Sequence, residues 1–239
     1  MWWLFHLFVA AHIATGAIGL VLFWIPVIGR KGSATHRRIG DIFAKCILAT
    51  GISAVAMSMC TLYDPLGTHP DLADVVMVRG LFGWMMLYLA ILTISLVWHG
   101  RQAIRNKADH PANRALFPVA LQVGAIVAAL NCAAQGVLAG QPLMLGIAIV
   151  GVASGGTNLA FIYTARPARL AYLKEHLKAL VGSGISVYTA FMTFGLARLL
   201  PQHAFNPTLW AIPLAVGVSI ILYHFKKLNP GRPVAAPGT

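Results

Sequence analysis

Acidic residues are the scarcest ingredient of this 239-residue chain, with six Asp and Glu against eighteen Lys and Arg. Charged residues of both signs make up only 10%, whereas an ordinary soluble domain carries about 25%. A water-solvated surface around a single apolar core is therefore excluded. The three cysteines, Cys46, Cys60 and Cys132, all fall inside apolar stretches, which argues against a disulfide framework and leaves them as packing residues. The chain contains no HExxH, GxSxG or P-loop pattern. Asp41, Asp64 and Glu175 sit at the ends of apolar stretches rather than within them, which disfavours a carrier driven by protonation of a buried acid. The last apolar stretch has no lysine, so a retinal Schiff base at that position is excluded. The first residues lack the cationic region of a cleavable signal peptide. They read as a retained first span, with Trp2 and Trp3 at its outer interface.

What the chain does have is 58% hydrophobic residues and a mean hydropathy of +0.75. These are gathered into seven stretches at residues 3–28, 42–62, 81–98, 117–138, 143–163, 177–199 and 209–225, each near the roughly 20 residues that cross a bilayer as a helix. The fold class is all-α, a polytopic bundle of seven transmembrane helices. Fifteen of the eighteen Lys and Arg fall into four patches, at 30–38, 101–114, 166–178 and 226–232. They occupy alternate connections, so retention of cationic loops predicts an N-terminus outside and a C-terminus in the cytoplasm. The expected setting is a bacterial inner membrane, with one domain over residues 1–228 and a short cytoplasmic tail at 229–239. The net charge of +12 lies where helices leave the bilayer, which points to anionic headgroups at the cytoplasmic face and away from nucleic acid. The four-residue link 139–142 forces spans four and five into a hairpin, and the connection 63–80 has room for a short helix. Gly151 and Gly155 stand at GxxxG spacing, a close-packing pattern.

Polar groups at membrane depth are functional candidates. At about 1.5 Å per residue, His12, Asn131, Tyr188 and Thr189 fall near the middle of the bilayer. They form a ligand site if spans one, four and six are neighbours. Asn158, beside Gly155, Gly156 and Thr157, is a further ligand candidate where span five would loosen. His36, His99, His176 and His224 share the inner level, with Lys45 and the loop residue His110. Facing imidazoles among these four suit a b-type haem or a metal ion. A zinc hydrolase would also need Asp41 or Glu175 turned inward to activate water. Met57 and Met59 point about 200° apart on a helix, so they make a poor copper site with Cys60, Met85 and Met86.

The stretch His12-Ile13-Ala14-Thr15-Gly16-Ala17-Ile18-Gly19-Leu20, then Lys31-Gly32 and His36-Arg37-Arg38-Ile39-Gly40, resembles a family of uncharacterised bacterial membrane proteins known only as a domain of unknown function. That pattern has a first-span histidine, a KG turn and an HRxxG step into the second span. His176-Leu177-Lys178 looks like a later element of it. The likeness implies a membrane bundle and draws attention to His12, His36 and His176, without implying an activity. The leading expectation is a membrane protein that binds a small ligand or cofactor in the bundle, as a redox component carrying haem or handling a quinone. The alternatives are a permease for a small solute, supported by residues 155–158, and a non-catalytic subunit of a larger membrane complex that uses Trp84, Phe191 and Phe194 as its interface.

Overall fold

The computed structural model describes residues 2–195 and 207–228. Among them are seven helices long and apolar enough to cross a membrane. They are α1 (Trp2–Ile28), α2 (Ala34–Tyr63), α3 (Val75–Arg105), α4 (Leu116–Leu138), α5 (Pro142–Tyr163), α6 (Ala171–Gly195) and α7 (Pro207–Leu228). The chain is a multi-pass membrane protein with an all-α fold. Every sequence-predicted stretch is present as a helix. The last residues of the sixth stretch (196–199), Arg232 and the tail 229–239 lie outside the described residues.

The helices overrun their apolar stretches because local capping, not hydropathy, ends them. At the start of α2 the Ser33 hydroxyl accepts the His36 backbone N–H at 3.1 Å, so the basic turn at 34–41 is already helical. Asp74 does the same for α3, accepting from the Met77 N–H at 3.0 Å. Within the connection between α2 and α3, Asp64 caps a single helical turn, Pro65–Thr68. The hairpin between α4 and α5 turns on Gly140, whose φ of +61° favours a residue without Cβ, and Pro142 begins α5.

Helix α3 is the centre of the bundle. Of its most apolar window 61% is buried, against 17% for α1 and for α7. It packs on α2, α4, α5 and α6; α1 lies mainly against α2 and also touches α6, while α7 lies mainly against α6. The largest core cluster gathers Leu81, Met85, Tyr88 and Leu92 of α3 with Ala129 and Cys132 of α4 and Met144 and Ala148 of α5. A second joins Phe23 of α1, Phe43 and Ile47 of α2, Val97 of α3 and Val181 of α6. Inside α3 the stretch Arg79–Met85 is a π-helix, and the described part of α6 holds another, Phe191–Gly195.

The basic patches within the described residues gather at one end of the bundle, called here the basic end. At the opposite end the His69 ring lies over Phe82 with centroids 4.4 Å apart and meets Phe5 edge-on at 5.6 Å. Burial holds the His69 pKa below its ordinary value of 6.5. The unfolded chain therefore takes up a proton at His69 before the folded chain does. Stability is lost as the pH falls below 6.5 toward the folded-state value. Thermal unfolding at neutral and mildly acidic pH tests this. His69→Phe keeps the aromatic contacts and is expected to lose less of its midpoint on acidification than the unsubstituted chain. An equal loss would clear His69 of the effect.

Candidate functional site

Of the polar groups that the sequence places near mid-depth, the fold separates what the sequence groups together. His12 is half-buried against α2 and donates from Nδ1 to the Thr50 carbonyl at 3.1 Å, while Thr15 pairs with the Thr50 hydroxyl at 2.8 Å. Tyr188 of α6 does reach α1, but eight residues further along. Its hydroxyl donates to the Leu20 carbonyl at 2.8 Å and accepts from Trp24 Nε1 at 2.6 Å. Eight helical residues are about 12 Å, so His12 and Tyr188 occupy different levels. Asn131 is on α4, which packs mainly on α3 and α5. Thr189 is half-buried, and its carbonyl accepts from the Thr193 hydroxyl at 2.7 Å. The condition that spans one, four and six be neighbours holds only for one and six.

Asn158 has a different setting from the loosened helix expected around it. Helix α5 runs unbroken from Pro142 to Tyr163. Asn158 is fully buried and donates from Nδ2 to Gln122 Oε1 of α4 at 2.9 Å. Its Oδ1 finds no partner. Gly155 brings α5 close to the Gln122 backbone, so the 155–158 stretch locks α4 to α5. Gln122 was legible as a strongly polar residue inside the fourth apolar stretch, and it is missing from the sequence-predicted set.

The inner histidines do converge on the basic end, though not on a single centre. His36 and His176 form a pair with ring centroids 6.5 Å apart and planes inclined by 62°. His36 Nδ1 lies 3.3 Å from the Pro26 carbonyl at the end of α1, and His176 Nδ1 lies 2.8 Å from the Gly100 carbonyl of α3. A carbonyl only accepts, so each ring carries its proton on Nδ1 and keeps its lone pair on Nε2. No hydrogen bond to either Nε2 is made among the described residues.

The other two histidines of the predicted set are engaged elsewhere. His99 is 4% exposed and bonds through Nε2 to Glu175 Oε2 at 2.9 Å; Lys178 reaches the same oxygen at 2.6 Å. Glu175 is thus turned inward, as a hydrolase would need, but its charge is already balanced. Asp41 is held by Lys45 at 2.7 Å and Arg101 at 2.6 Å. His224 faces a groove between α1 and α7. His110 Nε2 donates to the Phe161 carbonyl at 3.1 Å, tying the loop before α4 to the end of α5.

A haem between His36 and His176 does not fit the packing around them. Gly100, whose carbonyl holds His176, lies so close to α6 that an added Cβ would stand 2.9 Å from Leu180 and 3.1 Å from Ala179. A macrocycle beside these rings would have to part α3 from α6. Among the described residues there is likewise no group of three or more His, Cys, Asp or Glu able to hold a metal ion. Two imidazoles remain. Of the other soft donors, Met59 is 53% exposed while Cys60 is buried, so the two point apart. Of the three aromatics expected at a subunit interface, Phe194 packs inward on Phe82 and Trp210, Trp84 is half-buried, and Phe191 is 45% exposed. The chain matches no known protein-family model, no curated protein and no solved structure.

Proposed function

We propose that this chain is a membrane protein that carries a transition-metal ion between His36 and His176, in a redox-linked role, with its basic end toward the cytoplasm of a bacterial cell. The observation that carries this reading is the pair itself, two adjacent imidazoles with Nδ1 tied to backbone carbonyls and Nε2 left with its lone pair. Metal-bound histidines are commonly oriented in this way, through a hydrogen bond from the nitrogen that does not bind. Metal–imidazole bonds of about 2 Å, with the ring centre about 1 Å behind each nitrogen, put two coaxial rings roughly 6 Å apart. The observed 6.5 Å matches that separation. A nearly linear, two-coordinate ion, the geometry that Cu(I) accepts and that Zn(II), preferring four ligands, does not, requires in addition that the two Nε2 turn toward each other. The His36-Arg37-Arg38-Ile39-Gly40 step, which resembles that of an uncharacterised membrane-protein family, is the segment that brings His36 to the carbonyl of Pro26. The sidedness rests on the distribution of Lys and Arg.

Anaerobic Cu(I) titration of the purified full-length chain against a chromogenic chelator, with elemental analysis of the protein as isolated, tests the proposal. One equivalent of copper is expected, with affinity falling at least tenfold in His36→Ala and in His176→Ala and unchanged in His110→Ala. Copper binding that neither substitution alters would overturn it. A stoichiometric quinone in the lipid extract without any metal would instead make the two nitrogens acceptors for quinol hydroxyls.

A further inference from the structure

The groove that His224 faces runs between α1 and α7, has a volume of about 560 Å³, and is lined by Val27, Val216, Ser219, Ile220 and Tyr223 among others. It continues into a smaller cavity of about 150 Å³ bounded by Phe23, Trp24, Tyr188, Ile212 and Pro213, with Val216 and Ile220 common to both. From His224 to Ile212 is twelve residues of α7, or about 18 Å. Half of the hydrocarbon core is about 15 Å, so the cleft has the length of one acyl chain in one leaflet.

The upper end of this cleft is cationic. Lys31 caps α1 by donating from Nζ to the carbonyls of Pro26, Val27 and Gly29, which sets its ammonium directly at Val27. Lys227 Nζ stands 4.5 Å from the centre of the Tyr223 ring. Burial, and then the charge of Lys227, hold the Lys31 pKa below its ordinary range. His224 is within electrostatic reach of both lysines. Among the described residues neither lysine meets a carboxylate within ion-pair distance. Asp41 and Glu175 nearby are taken by Lys45, Arg101, Lys178 and His99. Two like charges thus stand at the basic end of an apolar cleft, Lys31 on the last carbonyls of α1 and Lys227 over Tyr223.

We infer that the α1–α7 cleft binds one anionic phospholipid, with its phosphate drawn to the basic end by the charges of Lys31, whose three N–H donors stay on the carbonyls at the end of α1, and Lys227, and with one acyl chain running down past Ile220 to Ile212. This goes beyond the proposed copper site, and His176→Ala, which removes a proposed copper ligand bonded to Gly100 and not to the Lys31 cap, is expected to leave lipid binding unchanged. A lipid in this position joins α7, which otherwise rests mainly on α6, to α1.

Native mass spectrometry of the full chain, released from vesicles containing equal phosphatidylglycerol and phosphatidylcholine with identical acyl chains, tests the inference. One retained phosphatidylglycerol is expected, preferred roughly thirtyfold, as the attraction of two lysines for an anionic lipid implies. K31Q/K227Q should bring the preference close to parity. V216F, at an exposed position within the cleft, should reduce retention of both lipids together while leaving Lys31 and Lys227 in place. Equal retention of the two lipids by the unsubstituted chain would overturn the inference. So would a full preference in K31Q/K227Q, or full retention in V216F. Thermal stabilisation by inorganic phosphate alone, equal to that by phosphatidylglycerol, would show a plain anion site and remove the acyl chain from the cleft. Should the double variant fail to fold, V216F still decides.

Discussion

Gly151→Val is expected to destabilise the bundle by about 3 kcal/mol, while Gly156→Val, five residues further on, should leave it nearly unchanged. An added Cβ at Gly151 would stand 2.5 Å and 2.6 Å from Tyr88 Cε2 and Oη and 2.8 Å from the Ala129 Cβ. The ring cannot simply retreat, because Tyr88 is 1% exposed and its hydroxyl donates to the Ile147 carbonyl at 2.7 Å. Accommodating the valine therefore costs both overpacking against α3 and α4 and the buried hydrogen bond from α3 to α5. At Gly156 an added Cβ meets nothing within 4 Å. Unfolding of both variants in mixed micelles would measure the difference, and equal stability would refute the close packing of α5 on Tyr88.

A loss of similar size is expected for Glu175→Ala. Its carboxylate is shared by His99 and Lys178 at the basic end. Side-chain exposures of 4% for His99, 16% for Glu175 and 25% for Lys178 make this a mostly desolvated group. Removing the carboxylate leaves His99 without its partner and Lys178 with only the Thr157 hydroxyl at 3.3 Å, at a cost of about 3 kcal/mol. Glu175→Gln keeps an acceptor for His99 and should recover most of the loss. If alanine and glutamine unfold alike, the charge on Glu175 matters more than the hydrogen bond. If neither unfolds earlier than the unsubstituted chain, the triad contributes nothing to stability.

The seven helices were legible because hydropathy is a property of each segment alone, and a bilayer imposes the same length on every one. Helix ends were less so. The start of α2 depends on the Ser33 hydroxyl, and the basic turn that follows gives no apolar pattern to read. Convergence of His36 and His176 followed from their common depth, since both begin helices at the same end. Depth carries no information on which helices touch. His12, Asn131 and Tyr188 therefore looked like one group although α4 stands apart from α1, and His224 looked like a neighbour of His36 although it faces the groove that α7 forms with α1. Asn158 shows a second limit. Beside two glycines it reads as a weak point in a helix, while the buried Gln122 that holds it comes from thirty-six residues earlier in the chain.

The central position of α3 also imposes a sequence of events during synthesis. Its buried polar groups find their partners on helices made later. The Ser95 carbonyl accepts from Gln122 of α4, Thr93 pairs with Ser186 of α6, and His99 meets Glu175 of α6. Until the ribosome has delivered α6, His99 lacks its carboxylate and Thr93, bonded to the Leu89 carbonyl of its own helix, lacks its cross-helix hydroxyl, so final closure belongs to the last third of translation.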